Sequence, residues 1–388
     1  MKGRHAMPQA RTHDGSTIDF EVHGEGPTLL LPLDPAPAEG ARAEELRAWG
    51  ADPALGRSLM EGLGGLVRVV AFPYEDHVQA HPKADTLTAD NVAADMLAVA
   101  DAAGAERFAY YGYSWLALAG LQLAVRTDRL SALAMGGFPP LDGPYAAMLR
   151  VTEATHERAR AQEQAGPRAG SGAPAAPEPP REPAPAAEQP GSLADYDWSS
   201  AEMTLSEPQT RQFVTLYRSL RGFDDRAAQA HLTAPRLCFA GSADVIDYDE
   251  TWGGVRVDIV GPLRERRAEL EELGWRVRVL DGLDHMTAMQ PPAVLSVLRP
   301  WLAEVLKTGA HGAPGTARLR ARRPGGYRAG SAPPASAASA ASAAAPEGGA
   351  AAPKSATIRR RARVRSWAVG ARSGSMPCCT ITPVSRAR

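Results

Sequence analysis

This sequence has little with which to cross-link itself, span a bilayer or hold a cofactor. Cysteine occurs only 3 times in 388 residues, too few for a disulfide framework. Cys238 lies in an apolar run, where a reduced core thiol is expected. Cys378 and Cys379 are adjacent, with no other metal-type ligand nearby, which argues against zinc. No apolar run approaches a membrane span, and none follows the charges of MKGRHAMPQARTHDGS. Neither a membrane anchor nor a signal peptide is therefore expected, and a cytoplasmic location is the resulting expectation. A G-x-G-x-x-G opening a helix, a Walker pattern and a His/Asp/Glu cluster with metal spacing are all missing, so no cofactor and no metal is expected. Net charge is almost absent too, at −1 from 43 basic and 44 acidic residues. It is unevenly placed, because from Thr308 onward fourteen Lys/Arg face a single acid, Glu347. The body that precedes them is acidic, which weighs against nucleic acid or an anionic membrane as its partner.

What is present falls into three compositional regimes. Residues 10–140 and 234–307 have globular composition, and the length allows a sizeable core. Residues 141–233 lie between them and contain AQEQAGPRAGSGAPAAPEPPREPAPAAEQPGS (161–192), built of Pro, Ala, Gly and Glu. That stretch has too little to bury to offset its ordering entropy, so it is expected to be disordered. Residues 308–388 are Ala/Ser/Gly/Arg-rich and are also expected to lack a fold. Their segment TIRRRARVRS holds five arginines in ten residues, a composition able to touch nucleic acid or an acidic surface. Apart from Trp367 it offers no aromatic for stacking.

In the globular parts strands alternate with helices. TIDFEVHG, after the Asp14-Gly15 turn signal, and PTLLLPL read as a hairpin leading into a buried strand. GLVRVVAF is a second strand, and a helix is predicted over Ala89–Ala103 with Val92, Met96, Val99 and Ala103 on one face. RFAYYG, LSALAMGG, PRLCFAG and WRVRVLDG read as further strands. SWLALAGLQLAVRT, PLRERRAELEELG and PPAVLSVLRPWLAEVL read as helices, the last opening on Pro291 and Pro292. This alternation implies an α/β architecture, a mostly parallel sheet covered by helices on both faces.

Ser114 stands in YYGYSWLALAG, where a predicted strand meets a predicted helix. A serine held on such a turn raises its hydroxyl above the sheet, beside the N–H groups of the next helix. The alternative is a serine that caps that helix. An alcohol becomes a nucleophile only when a base takes its proton, and the base needs an acid to orient it. Asp244 follows the strand-end glycine Gly241, and His285 follows the last predicted strand. Three matched residues at the carboxyl ends of parallel strands are where an open α/β sheet assembles a site. Asp281 and Asp284 flank His285 and read as solvated loop carboxylates, while His77 and His81 read as loop histidines after VVAF.

The order Ser…Asp…His, the G-x-S-x-L elbow and the alternation resemble the α/β-hydrolase fold superfamily, in its serine-nucleophile branch, over about residues 10–306. The resemblance implies Ser114 as nucleophile, His285 as general base and later acid, and Asp244 as orienting carboxylate. It implies the backbone N–H of Trp115 as one oxyanion donor, with Leu33 or Asp34 as the second, since Pro35 has no N–H. Asp142 is the competing carboxylate, at the strand end from which some relatives take the acid. Two features depart from the pattern: Leu116 replaces the elbow's last glycine, and LPLDPAP replaces the usual His-Gly pair. Residues 141–233 fill the slot of a helical cap, with YAAMLRVTEATHERARAQ and SEPQTRQFVTLYRSLRGF as its helices. Met148, Val151, Phe213, Leu216 and Tyr217 would roof the pocket. The expected function is a serine hydrolase cleaving a small ester or related acyl substrate through an acyl-enzyme. A C–C bond hydrolase, a thioesterase, a peptidase and a non-catalytic binding protein of the same fold remain open alternatives, and the oligomeric state is undetermined.

Overall fold

The apolar runs alternate side by side, and that alternation sets the layers. Leu30, Val70, Phe108, Tyr110, Leu133, Met135, Cys238 and Val277 are buried in one cluster. Their neighbours Leu29, Leu31, Val69, Ala71, Tyr111, Ala134, Leu237 and Phe239 are buried in another. Successive strand residues point to opposite faces, so strands apolar at both parities must be covered on both sides. The computed structural model describes residues 7–165 and 205–310, all of them in one compact unit.

The chain opens with β1 (Gln9–Arg11), β2 (Thr17–Asp19), β3 (Glu21–His23) and β4 (Thr28–Leu31). Helices α1 (Gly40–Ala48) and α2 (Leu55–Leu63) precede β5 (Arg68–Ala71), and α3 (Tyr74–Ala80) and α4 (Ala89–Ala102) follow it. Next come β6 (Phe108–Tyr113), α5 (Trp115–Ala124), β7 (Leu130–Gly136), α6 (Tyr145–Ala165), α7 (Glu207–Ser219) and α8 (Asp225–Ala228). The last part holds β8 (Arg236–Gly241), β9 (Val245–Asp247), β10 (Arg256–Asp258), α9 (Val260–Glu265) and α10 (Arg267–Glu272). It closes with β11 (Trp275–Leu280), α11 (His285–Ala288) and α12 (Pro291–Ala310).

Seven strands form the main sheet in the order β11-β8-β7-β6-β4-β5-β3. Every pairing in it is parallel except that of edge strand β3 with β5. Helices α4 and α5 cover one face, with Val92, Met96, Leu118 and Leu121 in the first cluster. Helices α2 and α12 cover the other, with Leu59, Leu63, Val294, Leu298 and Trp301 in the second. A mostly parallel sheet between helical layers, with a sharp turn at the end of its central strand β6, is the α/β-hydrolase fold.

Between β7 and β8 the chain leaves the sheet to make α6 and α7. Arg218 Nη2 to Glu153 Oε1 (2.8 Å), His156 Nδ1 to Thr210 Oγ1 (3.2 Å) and Glu207 N to Glu163 Oε1 (2.8 Å) run the two helices antiparallel. Helix α7 is tied down to residues 79–89 through Gln209 Nε2 to the Gln79 carbonyl (2.9 Å) and Thr215 Oγ1 to the Ala84 carbonyl (2.6 Å). Its N-terminus carries a reciprocal Ser206/Gln209 capping box.

The structure differs from the sequence reading in several places. Helices α1, α2 and α3 occupy segments to which the sequence reading assigns no element, and His77 is buried on α3 rather than in a loop. TIDFEVHG divides into two strands: β2 closes the hairpin with β1 over Asp14-Gly15, while β3 pairs with β5. The stretch PLRERRAELEELG is two short helices that break at Arg266 (φ −99°, ψ 12°). A hairpin of β9 and β10, absent from the sequence reading, stands behind Asp244. Residues 161–165, placed at the start of the expected disordered insert, continue α6. The rest of that insert and the tail beyond residue 310 lie outside the described residues. Among the described residues no helix is long and apolar enough to cross a membrane.

Candidate active site

Gly112, at the end of β6, starts the turn. A Cβ there would meet the Leu116 carbonyl oxygen at 2.2 Å, so the first turn of α5 passes closer to the strand than any side chain permits. Ser114 then adopts φ 57° and ψ −128°, a region sparsely populated by residues other than glycine. Its N–H donates to the Gly136 carbonyl (2.8 Å). Its side chain makes no capping bond to α5, which removes the helix-cap alternative. Leu116, in place of the elbow's last glycine, is buried in the core, and its carbonyl accepts from Tyr110 Oη (2.8 Å).

His285 and Asp244 reach this serine from neighbouring strand ends. His285 Nε2 lies 3.1 Å from Ser114 Oγ. Its Nδ1 lies 2.9 and 3.0 Å from the two carboxylate oxygens of Asp244. Asp244 is fully buried and His285 is 12 % exposed, so the pairing is largely shielded from water. The ionised carboxylate only accepts, so the Nδ1–H donates to Asp244 and leaves Nε2 to accept the serine proton. The two loops are stitched together by Ala243 N to the Leu283 carbonyl (2.9 Å) and Gly282 N to Ser242 Oγ (2.8 Å). A Cβ on Gly241 would stand 2.1 Å from the Leu283 carbonyl oxygen, so this approach also needs glycine.

Burial disfavours the His285 imidazolium, but the charge and hydrogen bond of Asp244 and the charge of Asp284 outweigh it. The imidazole consequently titrates above the ordinary histidine value. Serine, imidazole and carboxylate in line at these separations can move a proton from hydroxyl to ring while the carboxylate steadies the resulting charge.

The other sequence-predicted positions separate clearly. Trp115 is the first residue of α5, where N–H groups have no intrahelical acceptor. Leu33 N–H donates to the Leu31 carbonyl (2.8 Å). Asp34 is exposed, and its carboxylate accepts from Ala36 N–H (2.8 Å). Asp142 does not join His285; its carboxylate binds Arg266 Nε (2.7 Å) at φ 51°. Asp281 is exposed, whereas Asp284 is buried and caps α11 through Thr287 N (2.8 Å), so only the first is a solvated carboxylate. Cys238 is buried, which pushes its thiol pKa up. Among the described residues no group of three His, Cys, Asp or Glu could hold a metal ion.

Tyr113 escaped the sequence reading, and so did the side chain of Trp115, whose backbone N–H alone was singled out. Tyr113 Oη donates to the His285 carbonyl (2.8 Å), with ring centroids 5.1 Å apart. Trp115 packs between Tyr74 (5.9 Å) and Phe213 of α7 (5.4 Å), joining the inserted helices to the elbow. The usable signal was local, since both residues flank the serine on a turn that forces opposite side-chain directions.

No family model and no curated protein matches the sequence. Solved structures do match in shape. A thermophilic esterase from Thermogutta terrifontis is 19% identical, over 78% of this chain and 99% of that one, at TM-score 0.44. A haloalkane dehalogenase loop variant from Bradyrhizobium elkanii is 17% identical, over 79% and 98%, at TM-score 0.47. Epoxide hydrolase A from Mycobacterium thermoresistibile is 20% identical, over 76% and 98%, at TM-score 0.42.

Proposed function

We propose that this chain is a serine hydrolase that cleaves a small ester or related acyl compound through an acyl-enzyme. The observation that carries this reading is Ser114, held at positive φ with Oγ 3.1 Å from His285 Nε2, while Nδ1 stands 2.9 Å from buried Asp244. His285 takes the Ser114 proton as Oγ attacks the carbonyl carbon, and the carbonyl π electrons move onto oxygen. The protonated imidazole then gives its proton to the leaving group as the tetrahedral intermediate collapses. Water repeats the sequence to release the acid and free Ser114.

The oxyanion needs two donors aimed at one point. Trp115 N–H supplies one from the start of α5. Leu33 N–H is engaged with Leu31, which favours Asp34 N–H as the second. Helices α6 and α7 act as the cap, and Phe213 against Trp115 brings that cap beside the nucleophile. A carboxylate-nucleophile reaction is disfavoured because the elbow carries a serine.

A fluorophosphonate probe and a panel of chromogenic esters of graded acyl length test the proposal together. Labelling at Ser114 and turnover of at least one ester are the expected results. A folded protein that neither labels nor turns over any ester is a binding protein on a hydrolase scaffold.

A further inference from the structure

We infer that Tyr113 is a positioning residue that sets His285 relative to Ser114, an inference that rests on the serine-hydrolase reading above. The bonds within the base's own neighbourhood tie it to the acid. Ala243 N to the Leu283 carbonyl and Gly282 N to Ser242 Oγ join the loop of His285 to that of Asp244. Asp284 and Thr287 then close a capping box over the first turn of α11. These contacts align the base with the carboxylate and say nothing about the nucleophile, which belongs to a different strand.

Tyr113 supplies the missing connection. It is the last residue of β6 and directly precedes Ser114, so its backbone moves with the elbow. Its Oη donates to the His285 carbonyl at 2.8 Å, and its ring lies 5.1 Å from the imidazole. Phe239 on β8 braces that ring at 6.1 Å. The backbone opposite has been kept bare to admit both rings. A Cβ on Gly136 would meet Tyr113 Cδ2 at 2.5 Å, and one on Gly137 would meet Tyr113 Cε1 at 2.6 Å and His285 Cε1 at 3.0 Å. Tyr113 is 3% exposed, so its ring and hydroxyl are held within the packed interior. One side chain thus references the base to the strand that carries the nucleophile. The quantity it controls is the 3.1 Å separation of Oγ and Nε2, and small misplacements of reacting groups are costly to rate.

Tyr113→Phe keeps the ring and removes the hydroxyl. With a chromogenic ester as substrate, kcat is expected to fall about ten-fold while KM stays within about two-fold. Fluorophosphonate labelling of Ser114 should slow in proportion. A hydroxyl that served stability alone would lower the melting temperature and leave kcat unchanged, and that result would overturn the inference. So would a rise in KM with kcat intact. Phe239→Leu loosens the brace without touching the hydroxyl and is expected to move kcat in the same direction by less. It keeps the inference open to refutation if Tyr113→Phe fails to fold, because an unchanged kcat there counts against it. The wild type separates this inference from the reading beneath it. A wild-type protein that neither labels nor turns over overturns both, whereas one that labels and turns over, but no faster than Tyr113→Phe, overturns only the role of Tyr113.

Discussion

A serine at φ 57° sits in backbone space that costs a residue with a Cβ about 1–3 kcal/mol. It stays there because Gly112 lets α5 close on the strand and the Gly136 carbonyl holds the serine N–H. Ser114→Ala removes only the hydroxyl from that turn, so hydrolysis should be lost while the melting temperature stays within a few degrees. Retention of most of kcat would dismiss Ser114 as the nucleophile. Asp244→Asn should preserve the geometry but favour the other tautomer of His285, lowering kcat by roughly three to four orders of magnitude. Asp142→Asn should change little, because Asp142 faces Arg266 and not the imidazole; the ratio of the two kcat values is the check. Protonation of His285 removes the base, and its pKa is raised. Activity should therefore rise with pH through an apparent value above about 6.5, the ordinary histidine pKa. A kcat/KM profile whose acid limb falls below that value would contradict the arrangement.

Whole elements meet at this site through glycines. Gly112 lets α5 approach β6, and Gly241 lets the loop after β11 cross the end of β8, with a built Cβ only 2.1 Å from the Leu283 carbonyl oxygen. Neither obstacle is a flexible side-chain tip; each is backbone, which must move as a unit. Gly241→Ala should thus destabilise by about 1–3 kcal/mol, as overpacking generally does. It should also carry His285 away from Asp244. Thermal unfolding and kcat should both report the change, and an active variant of unchanged stability would show that the two loops can separate freely. Leu116 behaves differently from the small residue it replaces, since its side chain goes into the core while Tyr110 Oη holds its carbonyl.

Across the molecule, a polar network under the β1–β2 hairpin makes stability depend on pH. His77 Nε2 stands 3.0 Å from Ser16 Oγ, and buried Lys83 donates to Asp14 Oδ2 (2.6 Å) and Ser16 Oγ (3.1 Å). Burial, then the charges of Lys83 and His81, push the His77 pKa down to about 4, against the opposing pull of Asp14 and Asp95. The unfolded chain keeps an ordinary value near about 6.5. Between those two values the unfolded state binds more protons, so this contribution is present above about 6.5 and lost progressively as pH falls toward 4. Urea unfolding at pH 7 and pH 5 should show a larger loss for the wild type than for His77→Gln. Equal losses would mean that His77 is not the group responsible.

Period and punctuation were legible in the sequence. The alternation of strands with helices announced a sheet covered on two faces, and the strand–Ser114–helix junction marked the turn. Asp244 and His285 could be picked out because each follows a strand's carboxyl end, where a parallel sheet gathers its loops. Their separations were not legible, because those depend on strands far apart in sequence lying side by side: β6, β8 and β11 come together only in the folded sheet. The same holds for β3, whose partner β5 lies beyond two intervening helices, and for Tyr113, whose acceptor is 172 residues away. The short helices α1 to α3 were illegible for another reason: isolated helices of such length are marginal, and tertiary packing rather than propensity holds them. Local patterning therefore determined the layers and the residue types at the strand ends. Only the packed sheet decided which carboxylate meets the imidazole and how far that imidazole stands from the serine, because each is a relation between segments that share no local sequence.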